Sequence, residues 1–129
     1  MFCLAIVLIA IGCKSNRQQN LGKLVSQRSE NGRSLFKNHC ASCHHAPDTH
    51  FGEDYLFERL FERLPAPADN YFISYISDSK ALKTAGDQYA IDLANSFDIK
   101  YEHQFKNGLS REECFDLLIY FKIAAKNKK

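Results

Sequence analysis

Asn31-Gly32-Arg33-Ser34-Leu35-Phe36-Lys37-Asn38-His39-Cys40-Ala41-Ser42-Cys43-His44 is the stretch from which the rest of the chain is best read. Gly32 and Phe36 stand four residues apart, so on a helix they share one face. Cys40 and Cys43 follow at a spacing of three, which puts two thiols on adjacent helical turns with a histidine directly after them. Far downstream, Ser110-Arg111-Glu112-Glu113 is a capping box, a serine with a glutamate three residues on. It opens the apolar-rich run Cys114-Phe115-Asp116-Leu117-Leu118-Ile119-Tyr120-Phe121, which reads as a C-terminal helix. Two amphipathic helices bury core residues whatever else they carry. The 129 residues leave room for one domain. A composition of 45% hydrophobic and 25% charged residues is that of a packed globular protein. The net charge of +2 gives no clustered basic face, so no nucleic-acid partner is expected.

Cys40-Ala41-Ser42-Cys43-His44 has the CxxCH pattern of c-type haem attachment. Each thiol can add to one vinyl group of the same porphyrin while the next residue, His44, meets the iron. Three other chemistries use such cysteines. A thioredoxin-type redox pair belongs beside a βαβ pattern, and the flanking LFKNHCASCHH supplies no strands. A zinc site needs four ligands, and His45 and His50 would have to join the cysteines within eleven residues. A simple disulfide would leave His44 without a role.

The segment from Asn31 to Cys40, with its glycine and aromatic four apart, resembles the N-terminal helix of class I cytochromes c. The run from Leu109 to Tyr120 resembles the LS-x-EE-x-x-x-L-x-x-Y ending of the same family. The resemblance covers residues 28–47 and 101–125. It implies an all-α, cytochrome c-like fold in which the N- and C-terminal helices cross, Leu117 and Tyr120 pack over Gly32, and short helices and loops wrap one covalent haem c on Cys40 and Cys43 with His44 as proximal ligand. Pro47 resembles the family's loop proline, whose carbonyl accepts a hydrogen bond from the proximal imidazole, and it is equally an ordinary turn proline.

That family places a methionine ahead of the C-terminal helix as sixth iron ligand, and the only methionine here is Met1. Tyr101-Glu102-His103-Gln104-Phe105 stands in its place, so His103 is expected as the distal ligand, with Tyr101 and Lys106 as weaker candidates. His39 and His45 flank the motif and are expected at the surface or on the haem propionates. His50 belongs on the proximal side. A histidine pair lacks the potential-raising effect of Met/His ligation, so a low-potential haem is expected. The work implied is one-electron transfer between a redox donor and an acceptor protein, with no catalytic acid, base or nucleophile. The rival is a haem c protein with an open sixth position that binds a diatomic ligand or reduces peroxide.

Phe2 to Ile11 reads FCLAIVLIAI, uncharged and about half the length that a membrane-spanning helix needs. No Lys or Arg precedes it. It runs into Ala10-Ile11-Gly12-Cys13, which resembles the lipobox of bacterial lipoproteins, where the cysteine is lipidated and becomes the mature N-terminus. The implied organisation is a signal peptide over 1–12, a lipidated tether over 13–28 and the cytochrome domain over 29–126. The protein would then face the periplasm from the bacterial cell envelope, held to a membrane through Cys13. The tether's Gln, Asn and Ser content reads as a solvated spacer.

Between the two motifs, Leu56 to Leu64 repeats LFER at the spacing of one helical face and is stopped by Pro65 and Pro67. A helix is expected over 70–77, a short turn over 79–83 and a helix over 87–96 with Asp87 at its start. Phe51, Tyr55 and Phe57 are expected in the core or against the porphyrin. Cys114 reads as a small buried hydrophobe.

Overall fold

The computed structural model describes residues 3–48, 57, 59–96, 102–105 and 108–126, with side-chain surroundings from residue 16 onward. Every regular element among them is a helix: α1 (Cys3–His39), α2 (Leu60–Arg63), α3 (Ala68–Thr84), α4 (Gln88–Asn95) and α5 (Arg111–Lys126). The protein is all-α, as the two amphipathic segments required. His50, Phe51, Tyr55, Tyr101 and Lys106 lie outside the described residues.

α1 is far longer than the ten-residue helix expected ahead of the cysteines. No proline precedes Pro47, and the lysines, arginines, glutamines and leucines of residues 14–28 are good helix formers. The spacer expected there is accordingly solvated but helical, with every side chain from 16 to 27 exposed. Polar composition reports the lack of a buried face; it leaves the backbone free to close its own hydrogen bonds. Among the described residues no helix is long and apolar enough to cross a membrane.

From Arg28 onward α1 packs on α5. The crossing is close because residue 32 is glycine: a Cβ there would lie 2.1 Å from the Asp116 carbonyl oxygen and 2.8 Å from the Tyr120 Cβ. Asp116 thus takes the place expected for Leu117, which is buried within the core on the same helix. Asp116 is itself 8% exposed, and a buried carboxylate needs partners. Arg28 donates to its Oδ1 at 2.7 Å and Asn31 to its Oδ2 at 3.2 Å, so the first turns of the packed part of α1 are fastened to α5. The hydrogen bond to Asp116, then that to Glu112, raises the Arg28 pKa further. α5 begins as its capping box predicts. The Ser110 amide and hydroxyl donate to Glu113 Oε2 at 2.7 and 2.8 Å, and the Glu113 amide donates back to Ser110 Oγ at 3.3 Å.

The core is largely aromatic and centres on Phe36, Phe72, Leu109, Cys114, Leu117, Leu118, Tyr120 and Phe121. Phe121 stacks edge-on with Phe57 at 4.9 Å and with Phe36 at 5.7 Å. Cys114 is 1% exposed, the buried small side chain that was expected, and meets the Ser77 hydroxyl at 3.6 Å.

The middle of the chain departs from expectation twice. Of the LFER repeat, Leu56 and Glu58 lie outside the described residues, and the described part carries the single turn of α2, whose start is set by Arg59 in the left-handed region (φ 50°). Leu64, the residue before Pro65, is extended (φ −68°, ψ 146°), as its proline neighbour requires. The helix over 70–77 and the turn over 79–83 are one element, α3, interrupted where Asp78 turns extended (φ −159°, ψ 79°). Asp78 then acts as an internal N-cap, its carboxylate accepting from the Ala81 amide at 3.0 Å. α4 starts as expected, Asp87 accepting from the Ala90 amide at 2.8 Å. The Tyr71 hydroxyl donates to the same Asp87 oxygen at 2.6 Å and ties α3 to α4.

Candidate cofactor site

The cysteine motif is built on the end of α1. Beyond His39 the chain continues in tight turns: the Cys40 and Ala41 amides donate to Phe36 O at 2.8 and 3.0 Å, Cys43 to Cys40 O at 3.1 Å, and His44 to Cys40 O at 2.9 Å. Cys40, Cys43 and His44 are therefore carried on one short helical coil, whose orientation is inherited from the α1–α5 pair. Its exit is pinned too. Asp48 accepts from the Tyr120 hydroxyl of α5 at 2.9 Å and pairs with Arg33 of α1 at 2.6 Å. Burial, then the bond to Asp48, raises the Tyr120 pKa. Pro47, between His44 and this clamp, is buried.

His103 arrives from the other end of the chain. Its ring lies 6.1 Å from that of His44, centroid to centroid, with the two planes 9° apart. Tyr75 of α3 at 5.4 Å and Phe105 at 5.9 Å flank it, while Phe57 lies 5.5 Å from the His44 ring. His103 Nδ1 is buried. Burial, and to a lesser degree the neighbouring His44, pushes the His103 pKa down to about 4, so the imidazole is neutral at pH 7. Neutral imidazole is the ligating form.

Residues 102–104, which carry His103, have no regular secondary structure, and their backbone is held by α3. At the Asp78 kink the Ser79 amide donates to the His103 carbonyl at 2.9 Å. The His103 amide donates to Ser79 Oγ at 2.8 Å. Next to it, Lys83 donates to Glu102 at 2.5 Å, and that bond lowers the Glu102 pKa.

The two thiols differ. Cys43 is exposed and Cys40 half-buried. Burial, then the nearby Cys43, pushes the Cys40 pKa up to about 11. Both are free thiols. Among the described residues, which do not include His50, no three His, Cys, Asp or Glu side chains gather to hold a metal ion.

Two imidazoles and two thiols, the donor types that a haem c would need, stand near one another here. Phe57, Phe105 and Tyr75 supply the apolar surroundings, and the thiols lie one and four residues before His44. His39 and His45 are exposed, His39 with its ring 6.0 Å from Phe105. Cys13 lies on α1, away from this site along the chain.

Ser79, Asp48 and Lys83 escaped the sequence reading. Asp48 and Lys83 act through partners distant in sequence and leave no local signal. Ser79 had one: Ser77-Asp78-Ser79 inside an otherwise helical run is turn and N-cap chemistry. Compared with known proteins, the chain matches no family model, no curated protein and no solved structure.

Proposed function

We propose that the chain is a haem c electron carrier of class I cytochrome c architecture, with Cys40 and Cys43 holding the porphyrin, His44 the proximal and His103 the distal ligand. The observation that carries this reading is the near-parallel placement of His103 beside His44, contributed by opposite ends of the domain. When bound, the haem supplies one-electron redox chemistry. The protein's own part is to bind, orient and dry it. The turns that continue α1 present both thiols and His44 together, and Asp48 anchors their exit to Arg33 and Tyr120. Phe57, Phe105 and Tyr75 line the imidazoles and exclude water, while a histidine pair, lacking the potential-raising effect of Met/His ligation, favours a low reduction potential. Residues 29–126 form the haem domain in this reading. Residues 1–12 act as an export signal, and Cys13 is the lipid attachment point that holds the protein in the bacterial cell envelope, facing the periplasm. Donor and acceptor are other redox proteins.

Co-expression with a haem-attachment system in a periplasm tests the assignment. The wild-type chain should stay coloured after denaturation, because thioether bonds survive unfolding, and Cys40→Ser/Cys43→Ser should lose the colour. A potentiometric titration should then give a value below that of His/Met cytochromes. A colourless wild-type protein, or colour unaffected by the double substitution, would refute the proposal.

A further inference from the structure

We propose that Ser79 is a positioning residue that keeps His103 seated opposite His44, so that the kink in α3 serves as the latch of the distal side. The inference rests on the reading of the chain as a haem c protein and assigns a residue outside that motif to it. In an unbroken helix the Ser79 amide would donate within α3. At Asp78 the backbone leaves the helical path, and Asp78 caps the following turn through Ala81. The Ser79 amide is released by this break and donates to the His103 carbonyl at 2.9 Å.

The Ser79 hydroxyl accepts from the His103 amide at 2.8 Å, so one residue holds both polar groups of the other's main chain. The two bonds hold the peptides on either side of the His103 Cα where one would leave a pivot, and the direction of the Cα–Cβ bond follows from them. Ser79 is 2% exposed, so water is poorly placed to substitute for the hydroxyl. Lys83, one turn further along α3, holds Glu102 and fastens the same segment at a second point.

Carbon monoxide uptake by the ferrous haem-loaded protein reads the latch, because the gas enters only when His103 swings away. Ser79→Ala removes the acceptor of a buried amide and should speed uptake about tenfold. Hydrogen exchange at the His103 amide should speed by a similar factor. Ser79→Thr, which keeps the hydroxyl, should restore slow uptake. Ser77→Ala is the control: it removes another partly buried hydroxyl of α3, one that bonds Ile73 and meets Cys114 but not His103. It should lower thermal stability and leave uptake unchanged. Equal uptake by wild type and Ser79→Ala, with the wild type resisting the gas, would overturn the latch alone, as would equal acceleration by Ser77→Ala. A wild-type protein without haem, or one that takes the gas at once, would overturn the parent reading and the latch with it.

Discussion

The two sides of the site are held by different kinds of structure. His44 sits on a coil that continues α1 and inherits the rigidity of a helix pair locked by Gly32, Asp116 and Asp48. His103 sits on a segment without secondary structure, held by the bracket from Ser79 and the ion pair from Lys83. In the proposed reading, a proximal histidine on a helix pair therefore faces a distal one bracketed by Ser79. Mutations should therefore sort by side: those at the helix crossing act on folding as a whole, those at α3 act on the placement of His103.

The crossing offers the largest effect. Gly32→Ala drives a methyl group into the Asp116 carbonyl, and backbone cannot rotate away as a side chain can. We expect a loss of about 3 kcal/mol or more, read as a fall of more than about 10 °C in the thermal midpoint. A midpoint within a few degrees of wild type would show that the helices do not depend on this contact.

Asp48→Ala should have a smaller and local effect on the His44 side. It leaves the Tyr120 hydroxyl and Arg33 without the carboxylate, a cost of about 1 kcal/mol, while the distal side should respond to carbon monoxide as in wild type. Faster uptake in this variant would mean that the two sides are not independent.

The smallest effect is chemical. In the haem-free chain iodoacetamide should label exposed Cys43 well before Cys40. Thiolate is the reactive form, and a pKa raised to about 11 keeps Cys40 protonated at neutral pH. Cys40 labelling should therefore rise about tenfold per pH unit from pH 8 to 10. Equal labelling of both cysteines at pH 8, followed by peptide mass analysis, would contradict the burial of Cys40.

What could be read from the sequence follows the same division. The all-α class, the capped starts of α4 and α5 and the glycine at the crossing are local signals: Asp87, Ser110 with Glu113, and Gly32 beside Phe36 declare themselves within a few residues. The helical state of residues 14–28 did not, because polarity was read as a spacer although nothing there breaks a helix. The start of α2 at Leu60 was hidden because Arg59 adopts a left-handed conformation that its residue type does not announce. The missing methionine and a resemblance point to His103, whose ring lies 6.1 Å from that of His44, while Ser79, Lys83 and Asp48 could not be paired with their partners by spacing. Long-range bonds between a loop and a kinked helix leave no period in a sequence.

The central claim is that His44 and His103 share one haem. The most direct test is the optical spectrum of the ferrous, haem-loaded protein before and after carbon monoxide, for wild type and His103→Ala. Both axial positions filled by histidine predict a wild-type spectrum that does not change on the experiment's timescale and a rapid, complete shift in the variant. A wild-type spectrum that shifts at once, or a variant as resistant as wild type, would contradict the account.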